Sequence, residues 1–523
     1  MAAHNQSVAL ADLLPDLNLD KAASLEVSNL CLDTRYLKTG DAFVALAGIK
    51  VDGRNFIAKA IELGAAAILV EADKNWQGVD WLGAVPVIAV ENLPSLVSEI
   101  AGRFFNEPSK KIQLIGITGT NGKTTCSLLV AQLLAQLQQK SAVVGTVGYG
   151  LLDTSIVAPL EQQINLLAST GLTTPDPITL QRILRELADA DAKAIAIEVS
   201  SHSLQQKRVA GLQFASAIFT NLTQDHLDYH GDLQSYGNAK AQLLQMPELR
   251  TAIINLDDDW AASLIQKAPV NVQVFSYSTE KTADIYATEI ELHAQGVRAH
   301  LCTPWGEADI DSPLLGQFNL SNLLAVIAAV GAQGFALQQM LPFISRLEPA
   351  PGRMQLVTVD SAAQEIQVIV DYAHTPDALK NTLAAIHQHK AGRVWTVFGC
   401  GGDRDRTKRP QMGKIAERLS DYVIVTNDNP RSEDPAGIAA EIVRGMGHPS
   451  GCLVIADRAQ AIDFAVQQAR TGDIVLIAGK GHEDYQIFAN QTLPFSDSKH
   501  ARLSLQRRIA KRDANNQTAG APL

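Results

Sequence analysis

Residues 111–125 read KIQLIGITGTNGKTT: an apolar run, then glycine, lysine and threonine, followed at once by the helical pattern CSLLVAQLLAQLQQ. A strand that feeds a glycine loop and then a helix forms a phosphate-binding loop. Gly116, Gly119 and Gly122 let the backbone curl so that its N–H groups face a polyphosphate. Lys123 adds a mobile positive charge, and Thr124 offers a hydroxyl to Mg²⁺. The strict G-x-x-x-x-G-K-[ST] spacing needs glycine at position 117, where this chain has Ile117, so the loop is a variant. ATP is the expected ligand. The plainer reading is an ordinary glycine-rich turn with a surface lysine.

The chain has 523 residues, too many for one core, and a prior of roughly 150 residues per domain suggests about three. Short strands and helices fill residues 1–107, and Asn106, Pro108 and two lysines mark a linker. Strand and helix then alternate through 108–348, predicting a mainly parallel sheet, with antiparallel strands expected over 285–304 and a helix over 320–335. EPAPGRMQ (348–355) is the next boundary. A doubly wound, Rossmann-like sheet is expected over 349–510, and residues 511–523 lack apolar periodicity and are expected to be a loose, flexible tail. The fold class is therefore α/β in three domains.

A net charge of −11 argues against nonspecific nucleic-acid binding. The five cysteines form no CxxC pair, which fits a reducing cytoplasm rather than a disulfide framework. The amino terminus has no basic n-region, and no apolar run approaches about eighteen residues, so no membrane insertion is expected.

In open α/β sheets ligands bind beyond the carboxyl ends of the strands. The strand at 192–200 ends in Glu198, Ser200, Ser201 and His202; the strand at 216–222 leads to Thr220, Asn221, Asp225, His226, Asp228 and His230. Glu198 and His226 could meet above the phosphates, where Mg²⁺ needs ligands besides the nucleotide's oxygens. Alone, DHLDYH would be read as a metal-free helix cap. Further on, DYAHTPDAL, GCGGDRDRTKRP, NDNPRSED and AGKGHEDYQ alternate acidic and basic side chains. Such loops suit a zwitterionic substrate, since guanidinium grips carboxylate bidentately, unless they are merely a solvated rim. Cys400, within GCGGDRD, is read as a packing residue.

LDTRYLKTGDAFVALAG (32–48), GITGTNGKTT, LTTPDP (172–177), EVSSHSLQQKR (198–208), FTNLTQDHLDYHG (219–231), SYGNAKAQLL (235–244), GQFNLSNLLA (316–325), PGRMQ and DNPR, with the loops above, together resemble the Mur ligase family. The resemblance implies a uridine-recognising domain, a central ATPase and an amino-acid-binding domain. A monomer is expected, and three separate domains suit closure around an intermediate that hydrolyses readily. It implies ATP-dependent addition of meso-diaminopimelate to the D-glutamyl γ-carboxylate of UDP-MurNAc-L-Ala-D-Glu, through an acyl phosphate, in peptidoglycan precursor synthesis.

Carried over by position, the resemblance gives the UDP end to Leu32, Thr34, Ile49, Lys50 and Val51. Thr34 stands where relatives often have serine and keeps the hydroxyl. The muramoyl dipeptide falls to Thr173, Thr174, Ser200, Gln206 and Arg208. Leu172 stands where some relatives have asparagine, and that contact is not carried over. ATP falls to Gly119, Thr120, Asn121, Gly122, Lys123, Thr124, Thr125 and Asn319. Catalysis falls to Lys123, Glu198, His226 and Lys240, with Mg²⁺ held by Thr124, Glu198, His226 and Lys240 as its carbamate, N6-carboxylysine. Diaminopimelate falls to Arg404, Asp428, Asn429, Pro430, Arg431, Gly479 and Glu483, with Arg431 selecting against lysine. Two rivals remain: a folylpolyglutamate-type ligase, and a P-loop ATPase module without ligation chemistry.

Overall fold

The computed structural model describes residues 7–48, 51–152, 160–359, 364–389 and 392–519. The chain forms two compact units, one of residues up to Tyr286 with 302–307 and 321–343, the other of 287–301, 308–320 and the remainder from Ile344.

The first unit carries two main sheets. In one, the strands Leu30–Cys31, Ala42–Ala45, Ala67–Glu71 and Val85–Val90 lie side by side and parallel, and Val79–Leu82 runs antiparallel at the edge. In the other, seven strands run in the order Gly148–Leu152, Ser141–Gly145, Ala194–Glu198, Gln113–Thr118, Phe214–Phe219, Thr251–Asn255, Gln273–Ser278, all parallel except the first. The helix Lys123–Gln136 is buried on nearly every side, which explains why its sequence is apolar all round rather than striped. The strands beside it also send Leu114, Ala142, Val144, Ile195 and Ile197 into a separate core shared with Leu180, Ile183 and Leu184.

The two sheets are joined tightly within this unit. Gln181, in the helix Pro177–Asp189, donates its amide to the Ser98 carbonyl at 2.9 Å. That helix begins on Asp176, whose carboxylate accepts from the backbone N–H groups of Ile178 and Thr179, both at 3.0 Å. Such a cap is worth about 1 kcal/mol. Asp176→Ala is therefore expected to lower the urea midpoint of the protein by that equivalent, read by circular dichroism.

In the second unit the strands run in the order Gln355–Leu356, Gln367–Asp371, Ile474–Ala478, Val394–Phe398, Tyr422–Val425, Cys452–Val454, parallel after the first pair. Alternate residues of these strands enter separate cores: Ile369, Phe398, Val425 and Leu476 on one face, Val368, Val397, Ile424 and Val475 on the other. A parallel sheet covered on both faces needs continuous apolar strands, and these sequences supply them. Arg458 and Asp497 form a fully buried ion pair at 2.7 Å, and Arg458 also donates to the Ala478 carbonyl at the end of the central strand. Cys400 is buried with its Sγ 3.7 Å from the Met412 sulfur, and burial pushes its thiol up to about 12, as suits a packing residue.

Three expectations change. Gly116 lies inside the strand Gln113–Thr118, not in the loop, and its lack of a side chain serves packing: a Cβ there would sit 3.0 Å from the Phe214 ring. Of the tail expected over 511–523, the part up to Ala519 is helical instead, because the helix Asp497–Ala519 runs on into it and Arg512 pairs with Glu365 at 2.6 Å; residues 520–523 lie outside the described residues. Besides strands at Ile285–His293 and Gly296–Thr303, a third forms at Gly306–Ser312.

Candidate functional site

The phosphate loop leaves its strand at Thr118 and enters its helix at Lys123. Ile117 is fully buried and pairs in register with Glu198 on one side and Ile218 on the other, so the loop's tight part starts only at Gly119. Gly119 (φ +147°) and Gly122 (φ +86°) carry the backbone conformations that need glycine; a Cβ on Gly119 would fall 1.8 Å from Thr220 Oγ1. The chain after the next strand braces the loop. Thr120 N–H donates to the Asn221 carbonyl at 2.8 Å, Asn121 N–H to Asn221 Oδ1 at 2.9 Å, and the Thr220 hydroxyl to the Asn121 carbonyl at 2.6 Å. Lys123 Nζ reaches back to the carbonyls of Gly119 (2.8 Å) and Thr120 (2.9 Å). Thr125 is buried in the helix's first turn.

Parallel register brings Glu198 to the same sheet edge. It is 1 % exposed, and its Oε2 accepts from the Thr124 hydroxyl at 3.0 Å. Thr146 supplies two more donors, its N–H to Oε1 at 2.9 Å and its hydroxyl to Oε2 at 3.0 Å. These partners are all neutral. A buried carboxylate beside a threonine hydroxyl, with neutral donors, is the hard-oxygen set that Mg²⁺ favours, so the residues fit that ion.

Lys240, on the helix Leu233–Ala241, is 1 % exposed and donates to the Gly119 carbonyl at 2.7 Å. Burial, and then the charge of Lys123, hold its pKa well below the ordinary lysine range. Its Nζ lies 4.4 Å from the centre of the Tyr236 ring. His226, in a left-handed conformation (φ +53°) and about half exposed, has its ring 6.2 Å from that of Tyr236 and 4.8 Å from that of His202. Burial lowers the pKa of His202.

The five residues expected at the dipeptide gather beside Glu198. Thr174 Oγ1 donates to the Glu198 carbonyl at 2.8 Å and accepts from Ser200 N–H at 3.1 Å. Arg208 donates to the Thr174 carbonyl at 2.7 Å and, through Nε and Nη2, to Gln206 Oε1 at 2.9 and 2.5 Å. Thr173 Oγ1 stands 3.2 Å from Thr146 Oγ1. Leu32 and Thr34 follow the strand Leu30–Cys31, and exposed Val51 follows its parallel neighbour Ala42–Ala45, so they share one sheet edge. Ile49 and Lys50 lie outside the described residues. Asn319 belongs to the second unit, where its side chain donates to the Leu315 carbonyl at 2.8 Å. Sequence reasoning missed Thr146 and Asn322; the latter sits inside GQFNLSNLLA, and a Cβ on Gly122 would come 2.6 Å from its Oδ1.

In the second unit Asp428, Asn429 and Pro430 are buried at the end of the strand Tyr422–Val425. Asn429 Nδ2 donates to Glu483 Oε2 at 2.8 Å, and buried Lys480 donates to Glu483 (2.9 Å) and to Asn429 Oδ1 (3.1 Å). Gly479 (φ +115°) keeps its backbone close to Asp428, whose Oδ2 a Cβ would meet at 2.8 Å. Arg431 takes a left-handed conformation (φ +53°), donating through Nη1 to the Gly402 carbonyl at 2.8 Å. Arg404 is exposed on the neighbouring loop.

Three family descriptions match the chain: "Mur ligase family, catalytic domain" over 26–120, "Mur ligase middle domain" over 117–330, and "Mur ligase, glutamate ligase domain" over 352–481. A UDP-N-acetylmuramoyl-L-alanyl-D-glutamate–2,6-diaminopimelate ligase of Coxiella burnetii is 44 % identical over 501 residues, covering 95 % of this chain and 99 % of its own. The protein of the same name from Ectopseudomonas mendocina is 46 % identical over 479 residues, covering 90 % and 93 %. A solved structure of such a ligase superposes with a TM-score of 0.71 at 35 % identity, covering 96 % and 99 %. A folylpolyglutamate synthase of Mycobacterium tuberculosis complexed with ADP shares the fold, with a TM-score of 0.58 at 18 % identity, over 74 % of this chain and 92 % of its own. No helix among the described residues is long and apolar enough to cross a membrane.

Proposed function

The chain belongs to the Mur ligase family, and from that premise we propose that it adds meso-diaminopimelate to the D-glutamyl γ-carboxylate of UDP-MurNAc-L-Ala-D-Glu at the expense of ATP. The observation that carries the reading is the register of Ile117 with Glu198. It sets the phosphate loop and the Thr173, Thr174, Ser200, Gln206 and Arg208 cluster on one sheet edge, where a phosphoryl donor and a carboxylate acceptor must meet.

In the proposed reaction the γ-phosphoryl group passes to the γ-carboxylate, and the amine of diaminopimelate then displaces phosphate from the acyl phosphate to form the amide. The loop N–H groups and Lys123 bind and orient the phosphates, work that is mostly positioning and electrostatics. Thr124, Glu198, His226 and Lys240 as its carbamate are the residues that would hold Mg²⁺, which when bound neutralises charge on the phosphates. The lowered pKa of Lys240 favours the neutral amine that a carbamate requires. Arg208, turned by Gln206 and the Thr174 carbonyl, is poised to orient the dipeptide's anionic end. In the second unit Arg404, Asp428, Asn429, Pro430, Arg431, Gly479 and Glu483 would bind diaminopimelate, and Asn319 would serve the nucleotide. We assign residues 1–107, 108–348 and 349–510 to the UDP end, the nucleotide and the amino acid respectively, in a monomeric cytoplasmic enzyme.

ADP release by the purified protein is expected only when UDP-MurNAc-L-Ala-D-Glu and meso-diaminopimelate are both present. ATP turnover independent of both would replace this reading with an ATPase module.

A further inference from the structure

We propose that Thr146 is a positioning residue that couples occupancy of the dipeptide contact at Thr173 to the orientation of the Glu198 carboxylate, and so to divalent-cation affinity. The inference rests on the reading above.

Thr146 directly follows the strand Ser141–Gly145, which pairs in parallel with the strand ending at Glu198. Its N–H and hydroxyl engage the two carboxylate oxygens separately, at 2.9 and 3.0 Å, which fixes the rotation of the carboxylate plane. Gly145 closes another side: a Cβ there would lie 2.2 Å from Glu198 Oε1, so the carboxylate rests against bare backbone. The Thr146 hydroxyl has one proton to give. If it goes to Glu198, the contact with Thr173 Oγ1 at 3.2 Å must be a bond donated by Thr173. Donors then run in series from Thr173 through Thr146 to Glu198. A substrate that orders Thr173 also orders the two groups behind it, and a cation that binds next has less freedom left to remove. Linkage makes the effect reciprocal.

The test needs no turnover. Mn²⁺ affinity is titrated by electron paramagnetic resonance with ADP bound, with and without UDP-MurNAc-L-Ala-D-Glu. The dipeptide is expected to tighten Mn²⁺ binding by about fivefold, the lower end of ordinary coupling between sites. Thr146→Val should bring this ratio close to one, and Thr146→Ser should restore it. Thr173→Val removes the other end of the hydroxyl pair and should lower the ratio too, with the double variant no lower than Thr146→Val alone. This second arm keeps the test open should the residue 146 variant fold poorly. A ratio unchanged by Thr146→Val, or absent from the unsubstituted protein, overturns the inference. The ligase reading fails separately, in the ADP-release assay.

Discussion

Replacing Lys240 by alanine is expected to lower ligation by at least about 100-fold, since loss of even an outer partner of a metal site costs ten- to a hundredfold. The side chain is buried, bonded to the Gly119 carbonyl at the mouth of the phosphate loop, and near enough to Lys123 for their charges to oppose each other. A permanent ammonium there repels both its neighbour and a divalent cation. The depressed pKa leaves a larger neutral fraction near neutral pH than free lysine has, and only the neutral amine can add CO₂. Lys240→Arg separates the explanations. Guanidinium keeps a donor for Gly119 but is neither deprotonated nor carbamylated, so it should be as inactive as alanine. Product formation, with ¹³C-bicarbonate resonance spectroscopy to detect a carbamate only in the unsubstituted protein, checks both; full activity of Lys240→Ala would sink the assignment.

Discrimination between meso-diaminopimelate and L-lysine is expected to fall roughly ten- to a hundredfold in Arg431→Ala, read as the ratio of the two kcat/KM values. The substrates differ by one carboxylate, and a charge-assisted hydrogen bond to it is worth about 1.5–3 kcal/mol. The structure fixes the position of Arg431 through its backbone and its side chain. Its N–H donates to the Ile487 carbonyl at 3.0 Å, its own carbonyl accepts from Ala489 N–H at 2.7 Å, and its guanidinium is steered by Gly402. If the unsubstituted protein used lysine as readily as diaminopimelate, this role would be withdrawn.

The alternating architecture was legible because strands buried on both faces, such as DIVLIAG, read as unbroken apolar runs between helical segments. Glu198 was legible from its place at a strand end. Lys240 was not: on YGNAKAQLL a lysine looks solvated, and only the motif resemblance singled it out, whereas the structure buries it. Thr146 carries no motif at all, because its bonds to Glu198 come from strand register, which one sequence does not display. The tail misled for a related reason. Beyond Lys511 the helix has no apolar face to reveal it, and Arg512 is tied to Glu365 by an ion pair between residues far apart in sequence. Ile117 seemed a departure from the phosphate-loop spacing, yet it is simply a strand residue, since this loop turns later, at Gly119.

The bracing of that loop by Thr220 and Asn221 has a thermodynamic consequence. Fixing a backbone residue costs about 1–2 kcal/mol in conformational entropy, so ordering residues 119–122 on arrival of a ligand would consume roughly 4–8 kcal/mol of its binding free energy. Here the bonds from 220 and 221 hold the curl already, and folding rather than the nucleotide bears that cost. Nucleotide affinity in this chain is thus set partly by residues that need never touch the nucleotide.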